Sequence, residues 1–489
     1  MEALLIKNLK SSAVVPRPRQ KPMSPEHFMR KGLTAMKRNM MAAAFTFAAV
    51  LAAGCAATRT GQADFRTVVL GAKERVFPTL VYIRVVMESL EGGKNEKRVV
   101  SGSGVVISAD GELLTNYHVV DKATEIRCQL SDGSAYTAKT VGSDKDLDVA
   151  LLKLDLPADA PPLSKAELSD KQVSVGDVVL AMGAPWGLAR SVTMGIISCT
   201  DRYLEGHGQY TLWYQTDAAI APGNSGGPLV DTDGKVVGLN TLGSVYGGQA
   251  FTIPSPTILE ALPRLREFGD AHWAWFGLNL QPLHDFNKDM VFPGDEGVVV
   301  AGTDPGSPAR KAGVLPNDRI VSVGGDPVTV VNAEDLPSLN RKFGRLPFGV
   351  EVPFEILRGG ERLALKIAPT EKGRVEGEQK AFERWGFTAK EINRFANPDL
   401  AFFAEDGGLF VSSVAWDGNA WSAGLKENDV LIAWNGAPVK SLHGLAAIYD
   451  SALKELPNRY RANIEVLRGG RRMQIVLNYL EDTEKEVLE

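Results

Sequence analysis

Among its 489 residues the chain has three cysteines and six histidines. Three thiols cannot build a disulfide framework, and no His/Cys cluster falls at ligand spacing, so neither a metal nor another cofactor is expected. Cys128 and Cys199 lie in apolar, strand-like runs and read as buried thiols, whereas Cys55 stands apart. Long apolar runs are scarce too. Met41 to Ala53 spans 13 residues, too short for a stable transmembrane helix and right for a secretory apolar core. No basic stretch is interleaved with aromatics. Residues 1–54 hold nine Lys/Arg against two Asp/Glu, leaving a body with 45 basic and 57 acidic residues. An acidic body argues against nucleic acid as a partner.

What is present is ordinary globular material, 44% apolar and 23% charged, with 49 glycines that favour short strands and tight turns over long helices. The length allows about three or four domains. After a short helix over Ala63 to Arg75, ended before Pro78, strand-like runs cover Leu80–Val86, Val99–Ile107, Leu113–Thr115, Glu125–Leu130 and Val149–Leu154. A second set covers Val178–Met182, Val192–Ser198, Thr211–Tyr214, Leu229, Val236–Asn240 and Ala250–Ile253. Short strands at regular spacing imply a barrel or sandwich, and two sets imply two barrels in a mainly β fold.

Asp217 to Leu229 centres on Gly223-Asn224-Ser225-Gly226-Gly227, one serine among three glycines just before an apolar run. Glycines free the backbone to aim several N–H groups at one point, and a serine nucleophile needs such donors and a base. A Gly/Asn/Ser loop is by itself a common turn, a lone histidine such as His118 is usually structural, and an aspartate opening a strand, such as Asp148, is usually a turn residue. Their combination points elsewhere. A base, a carboxylate to orient it and a glycine-flanked serine follow in the order His118, Asp148, Ser225, 30 and 77 residues apart.

The stretches Ser101 to Ile107, Thr115-Asn116-Tyr117-His118-Val119-Val120, Asp148 to Leu152, Thr193 to Ser198 and Thr216 to Leu229 together resemble the HtrA/Deg family of trypsin-like serine proteases. The resemblance implies a chymotrypsin-like double β-barrel protease over 55–268, with Ser225 as nucleophile, His118 as base and Asp148 orienting the imidazole. It implies an oxyanion hole at the Gly223 and Ser225 amides, with Asn224 in the same turn, and a homotrimer. Ala221 stands where the family usually has asparagine, and the loop Glu88 to Arg98 is short. The loop Thr241 to Ala250, which lines the pocket for the residue before the cleaved bond, is short as well and holds no acid to capture Lys or Arg. An apolar pocket is expected, bounded by Ile220, Thr241, Leu242 and Gly243.

Downstream the chain repeats itself. Gly297-Val298-Val299-Val300, Ala312-Gly313-Val314, Asn317-Asp318 and Gly325 recur as Gly408-Leu409-Phe410-Val411, Ala423-Gly424-Leu425, Asn428-Asp429 and Gly436, all at an offset of 111. Glu355-Ile356-Leu357-Arg358-Gly359-Gly360 recurs as Glu465-Val466-Leu467-Arg468-Gly469-Gly470 at 110. Such self-similarity means two copies of one small domain. They resemble the PDZ domains of the same family, at 272–372 and 381–480. In that family a loop before a strand receives a peptide's C-terminal carboxylate and the peptide adds as an extra strand. Trp275-Phe276-Gly277-Leu278 fits this role in the first copy and Trp385-Gly386-Phe387-Thr388 in the second. The linker Glu371 to Lys380 reads as charged and flexible, and 481–489 as an acidic solvated tail.

Residues 1–54 read as an upstream extension plus a signal peptide, with Met36 the expected start. Leu51-Ala52-Ala53-Gly54-Cys55 resembles the lipobox of bacterial lipoproteins, which implies lipidation at Cys55 and membrane attachment. Residue 56 is alanine rather than aspartate, which by the same resemblance implies the outer membrane. The expected activity is a periplasm-facing endopeptidase that cuts unfolded or mislocalised proteins and binds peptide C-termini at its PDZ domains. The alternatives are a PDZ scaffold or chaperone with little proteolysis, and a regulatory protease gated by PDZ-bound peptides.

Overall fold

Alternation of apolar and polar residues builds the first barrel. In Leu80–Ser89 (β1), Leu80, Val81, Ile83 and Val85 face inward while Arg84 is exposed. A computed structural model describes residues 64–184, 191–243, 248–285, 296–400 and 407–481. Helix α1 (Phe65–Val76) precedes β1. The remaining strands of the barrel are β2 (Glu96–Val106), β3 (Glu112–Thr115), β4 (Ala123–Gln129), β5 (Ala135–Asp144) and β6 (Val149–Leu154), closed in the order β1-β2-β3-β6-β5-β4. β1 and β2 run on into the expected loop, pairing Glu88 with Lys97 and Ser89 with Glu96, so the hairpin is longer and its tip tighter than the sequence implied. One helical turn, α2 (Tyr117–Val120), follows β3.

The second barrel comprises β7 (Val178–Gly183), β8 (Ser191–Arg202), β9 (Trp213–Thr216), β10 (Pro228–Val230), β11 (Val236–Gly243) and β12 (Ala250–Pro254), closed as β10-β11-β12-β9-β8-β7. Helix α3 (Ser255–Phe268) then lays Ile258, Ala261, Leu262 and Leu265 across both barrels, meeting Leu114, Leu151, Leu180 and Leu239. Burying one such leucine contributes roughly 1.5–3 kcal/mol, so this shared core holds the barrels as one body. Gly269, left-handed at φ 84°, ends α3 by donating to the Leu265 carbonyl. Cys128 is fully buried, and its thiol is pushed up to about 12 by that burial; Cys199 is only partly buried.

A two-residue strand β13 (Ala274–Trp275) leads into the first repeat, whose sheet holds β14 (Leu278–Gln281), β15 (Val298–Thr303), β16 (Arg319–Val323), the short β17 (Asp326–Pro327), β18 (Val352–Arg358) and β19 (Glu361–Ile367). Helices α4 (Pro308–Lys311) and α5 (Leu336–Gly344) accompany it, and β20 (Thr370–Glu371) returns to pair with β13. The second repeat begins at β21 (Gln379–Phe382) and has β22 (Phe387–Glu391), β23 (Leu409–Val414), helix α6 (Asn419–Ser422), β24 (Val430–Trp434), β25 (Ala437–Pro438), helix α7 (Leu442–Lys454), β26 (Arg461–Arg468) and β27 (Arg471–Asn478). From β14 and β22 onward the repeats match element for element.

The repeated residues explain one another. Arg358 donates to both carboxylate oxygens of buried Asp318 (2.7 and 2.7 Å) and to the Gly313 carbonyl, and Arg468 does the same to Asp429 (2.7 and 2.6 Å) and Gly424. Asn317 and Asn428, both at φ 70°, turn the chain just ahead of each aspartate. The repeated motif is therefore a bidentate ion pair that closes each sheet.

Candidate active site

His118 is carried on α2 and Asp148 on the turn between β5 and β6. The Asp148 carboxylate grips His118 with both oxygens, Nδ1 lying 3.0 Å from Oδ1 and 2.8 Å from Oδ2, and Oδ1 also accepts the His118 amide at 3.0 Å. A proton held on Nδ1 in this way leaves Nε2 as the basic nitrogen of the neutral ring. Asn116, fully buried at the N-terminus of α2, donates to the Asp148 carbonyl (3.0 Å) and to Thr241 Oγ1 (2.9 Å). It thus ties the histidine turn, the aspartate turn and β11 together.

Ser225 lies opposite, in the turn before β10. Its Oγ donates to the Thr241 carbonyl at 3.2 Å, and among the described residues no hydrogen bond joins it to the imidazole. The turn is fixed by backbone approach. Gly226 has φ 83°, and a Cβ there would collide with the Ser103 carbonyl and Thr115 Oγ1, so glycine is required. Gly223 is also left-handed, at φ 98°. Asn224 gives its backbone amide to the Ala221 carbonyl (2.9 Å). Among the described residues the Gly223 and Ser225 amides have no acceptor.

Ser103 holds this turn from the other barrel. Its amide donates to the Ser225 carbonyl (2.8 Å), its hydroxyl donates to the Gly223 carbonyl (2.6 Å), and it accepts the Ala184 amide (2.9 Å). Ser103 and Asn116 sit inside stretches legible in the sequence, but only the fold brings them onto the nucleophile and the aspartate. On the far side, Asn240 accepts the Gly226 amide and donates its own to Gly227, each at 2.8 Å.

Thr241 and Leu242 line a cleft of about 390 Å³ together with His118, Asp148, His207 and Trp213. Ile220, half-buried, packs over Gly243, where a Cβ would lie 2.6 Å from the Ile220 carbonyl. Of the four residues expected at the specificity pocket, Thr241 touches Ser225 and lines this cleft with Leu242, while Ile220 and Gly243 adjoin each other. Residues 244–247 of the loop after the nucleophile lie outside the described residues, as do Cys55 and residues 482–489 of the tail.

The two expected carboxylate loops differ. In the first repeat, Gly277 (φ 70°) turns the chain into β14, which is the edge strand of its sheet and leaves a groove of about 140 Å³ against α5, lined by Leu278, Leu280 and Phe343. Phe276 points into the core against Phe343 and Phe354, while Trp275 meets Phe395 edge-on at 6.0 Å and lies under the Arg394 guanidinium at 4.6 Å. In the second repeat the corresponding edge is taken. β21 pairs antiparallel along β22, Gln379 with Lys390 through Phe382 with Phe387, and packs against α7 through Phe382 and Tyr449. Trp385 and Phe387 are fully buried and Thr388 nearly so.

The charged stretch from Glu371 to Lys380 is not a free linker. Glu371 belongs to β20, Lys372 is buried, and Gln379 and Lys380 belong to β21. Lys372 pairs with Asp146 and Glu376 with Lys145 on the protease, Glu376 also meets Lys390, and Arg374 pairs with Glu378 within the stretch.

A family model described as trypsin-like peptidase domain matches residues 102–239, and one described as PDZ domain matches residues 275–368. A probable periplasmic serine endoprotease, DegP-like, from Pseudomonas putida is 35% identical over 401 residues, covering 78% of this chain and 80% of the relative. The periplasmic serine endoprotease DegP of Salmonella typhimurium is 33% identical over 369 residues, covering 74% of each. Among solved structures, the HtrA-type protease AlgW with tripeptide superposes with a TM-score of 0.56 at 33% identity, covering 64% of this chain and 98% of that one. With the two closed barrels, these likenesses mean that the chain belongs to the DegP/HtrA family of serine endoproteases.

Proposed function

We propose that the chain hydrolyses peptide bonds with Ser225 as nucleophile, His118 as general base and acid, and Asp148 as the group that orients and stabilises the imidazolium. On substrate binding the Ser225 hydroxyl leaves the Thr241 carbonyl and turns to Nε2 of His118, which takes its proton as Oγ attacks the scissile carbonyl. The same proton then passes to the leaving amine, and water repeats the sequence on the acyl-enzyme. The amides of Gly223 and Ser225 receive the oxyanion, a contribution worth about 10²–10³ in rate per donor. The observation that carries this reading is the two-oxygen hold of Asp148 on His118.

The substrates in this reading are unfolded or mislocalised proteins of the bacterial envelope, taken into an apolar pocket bounded by Ile220, Thr241, Leu242 and Gly243. The location is the periplasm, supported by the named relatives, with attachment to the outer membrane through a lipidated Cys55 and assembly as a homotrimer. The second repeat is a second PDZ domain, and the first repeat receives peptide C-termini beside β14. Proteolysis of a denatured protein by wild type and Ser225→Ala in parallel is the test. A fall of about 10³-fold or more in the variant is expected. Equal binding of the denatured protein with no cleavage by wild type would favour the scaffold reading and reject the enzyme.

A further inference from the structure

The turn that carries Asp148 is held from outside the protease barrels. Asp148 itself has φ 55°, a left-handed conformation that costs a residue with a Cβ on the order of 1 kcal/mol and persists only where neighbours enforce it. Within the turn, Asp144 Oδ1 accepts the Leu147 amide (2.7 Å) and the Asp148 amide reaches the Lys145 carbonyl at 3.3 Å. Asn116 of the first barrel donates to the Asp148 carbonyl (3.0 Å), and further contacts come from the segments that enter and leave the first repeat. Trp273, just before β13, donates its indole N–H to Asp144 Oδ2 at 2.9 Å. Lys372, just after β20, donates to Asp146 Oδ2 at 2.6 Å, and Glu376 pairs with Lys145. Lys372 and Trp273 are themselves joined, the Lys372 amide donating to the Trp273 carbonyl at 2.8 Å.

Lys372 is unusual among these. Its side chain is only 4% exposed, its ammonium lies 5.0 Å from the Tyr210 ring and 5.1 Å from the Phe395 ring, and Asp146 is its anionic partner. A buried ammonium is strongly disfavoured without a partner, so wherever Lys372 is fixed Asp146 must follow. Asp146 is two residues from Asp148, on a turn too short to absorb a shift. We propose that Lys372 is a positioning residue for catalysis, holding the Asp146–Asp148 turn so that the Asp148 carboxylate meets His118. The inference rests on the proposed role of Asp148. Because β20 pairs with β13 and β13 runs directly into Trp275–Gly277, the same lysine links the first repeat's carboxylate loop to the aspartate turn.

The test is steady-state proteolysis by Lys372→Met, Lys372→Arg, Asp146→Asn and the double variant Lys372→Met/Asp146→Asn, with Asp148→Ala as reference. Lys372→Met is expected to lower kcat roughly 10–100-fold with KM changed less than about twofold, since substrate contacts are untouched. Its kcat/KM–pH profile should also change, which a merely structural role for Lys372 would leave in place. Lys372→Arg should recover most of the rate. Asp146→Asn, which keeps the volume of the turn, should reproduce the Lys372→Met loss, and the double variant should be no slower than either single one. Unchanged kcat and pH profile in Lys372→Met and Asp146→Asn, with Asp148→Ala inactive, would overturn the positioning role and leave the triad intact. Full activity of Asp148→Ala would overturn both. If Lys372→Met fails to fold, Asp146→Asn decides by the same kcat and pH criteria.

Discussion

Asp144 shows how one carboxyl can serve as a fixed structural acceptor. Burial, with Asp146 nearby, pushes it up to about 7, against the Leu147 amide, Lys372 and the Trp273 indole N–H, which favour its charged form. A carboxyl whose folded value lies above its unfolded one binds a proton more tightly when folded. Its contribution to stability is therefore complete below about pH 4, declines as pH rises, and has gone by about pH 7. Across that window the loss amounts to roughly a few kcal/mol. Asp144→Asn cannot titrate, and its amide nitrogen would face the Trp273 donor, which costs on the order of 1–3 kcal/mol. In a Ser225→Ala background, wild type should be clearly more stable than Asp144→Asn near pH 4, with the gap narrowing toward pH 7. Denaturant midpoints measured from pH 4 to 8 decide it, and parallel curves would refute the shift.

At the level of elements, the tip of the β1–β2 hairpin and the second repeat share a small polar interface. The Leu90 carbonyl accepts from Thr388 Oγ1 and from Ser413 Oγ (3.3 Å), and the Gly93 amide donates to Ser413 Oγ at 3.4 Å. Gly93 is left-handed at φ 70°, and a Cβ there would stand 2.6 Å from the Phe387 nitrogen, so only glycine lets the two backbones approach. Gly93→Val is expected to undock the tip, raising hydrogen exchange at Thr388 and in residues 90–93 about tenfold or more. Unchanged exchange would mean that the tip does not depend on this contact. The sequence carried the existence of the hairpin, because the alternation in β1 is strong, but not its docking, because Leu90 and Thr388 are 298 residues apart. The same contrast runs through the molecule. β3 and β6 were legible as apolar runs, whereas β5 was not. Its buried positions, Ala138, Gly142 and Asp144, are small or polar, and the register breaks between Thr140 and Gly142. The order of His118, Asp148 and Ser225 was readable. Lys372 looked like one more linker charge, since its partner Asp146 is 226 residues earlier.

For the molecule as a whole, the first repeat is bounded on three sides by its own chain. α5 faces the protease, with Asn340 donating to the Gln209 carbonyl (3.0 Å) and Arg341 to that of Tyr210. The entry and exit segments meet on Lys372 and Trp273, and Phe395 of the second repeat stands at the mouth of the groove beside β14. Phe395 touches both Trp275, at the carboxylate loop, and the Lys372 ammonium. A peptide that adds along β14 with its C-terminus at Trp275–Gly277 has to share that mouth with the Phe395 ring. In the second repeat the equivalent edge is filled by β21, so the β14 groove and the β22 edge differ in what they leave open. Phe395→Ala removes the ring and leaves the β14 edge unaltered. The expected result is a gain of about fivefold in affinity for a peptide with a free apolar C-terminus, corresponding to an aromatic contact of about 1 kcal/mol. Titration of a fluorescent peptide into Ser225→Ala with and without Phe395→Ala measures it. A loss of affinity would instead make Phe395 part of the peptide's own binding surface, and the second repeat a co-receptor rather than a competitor.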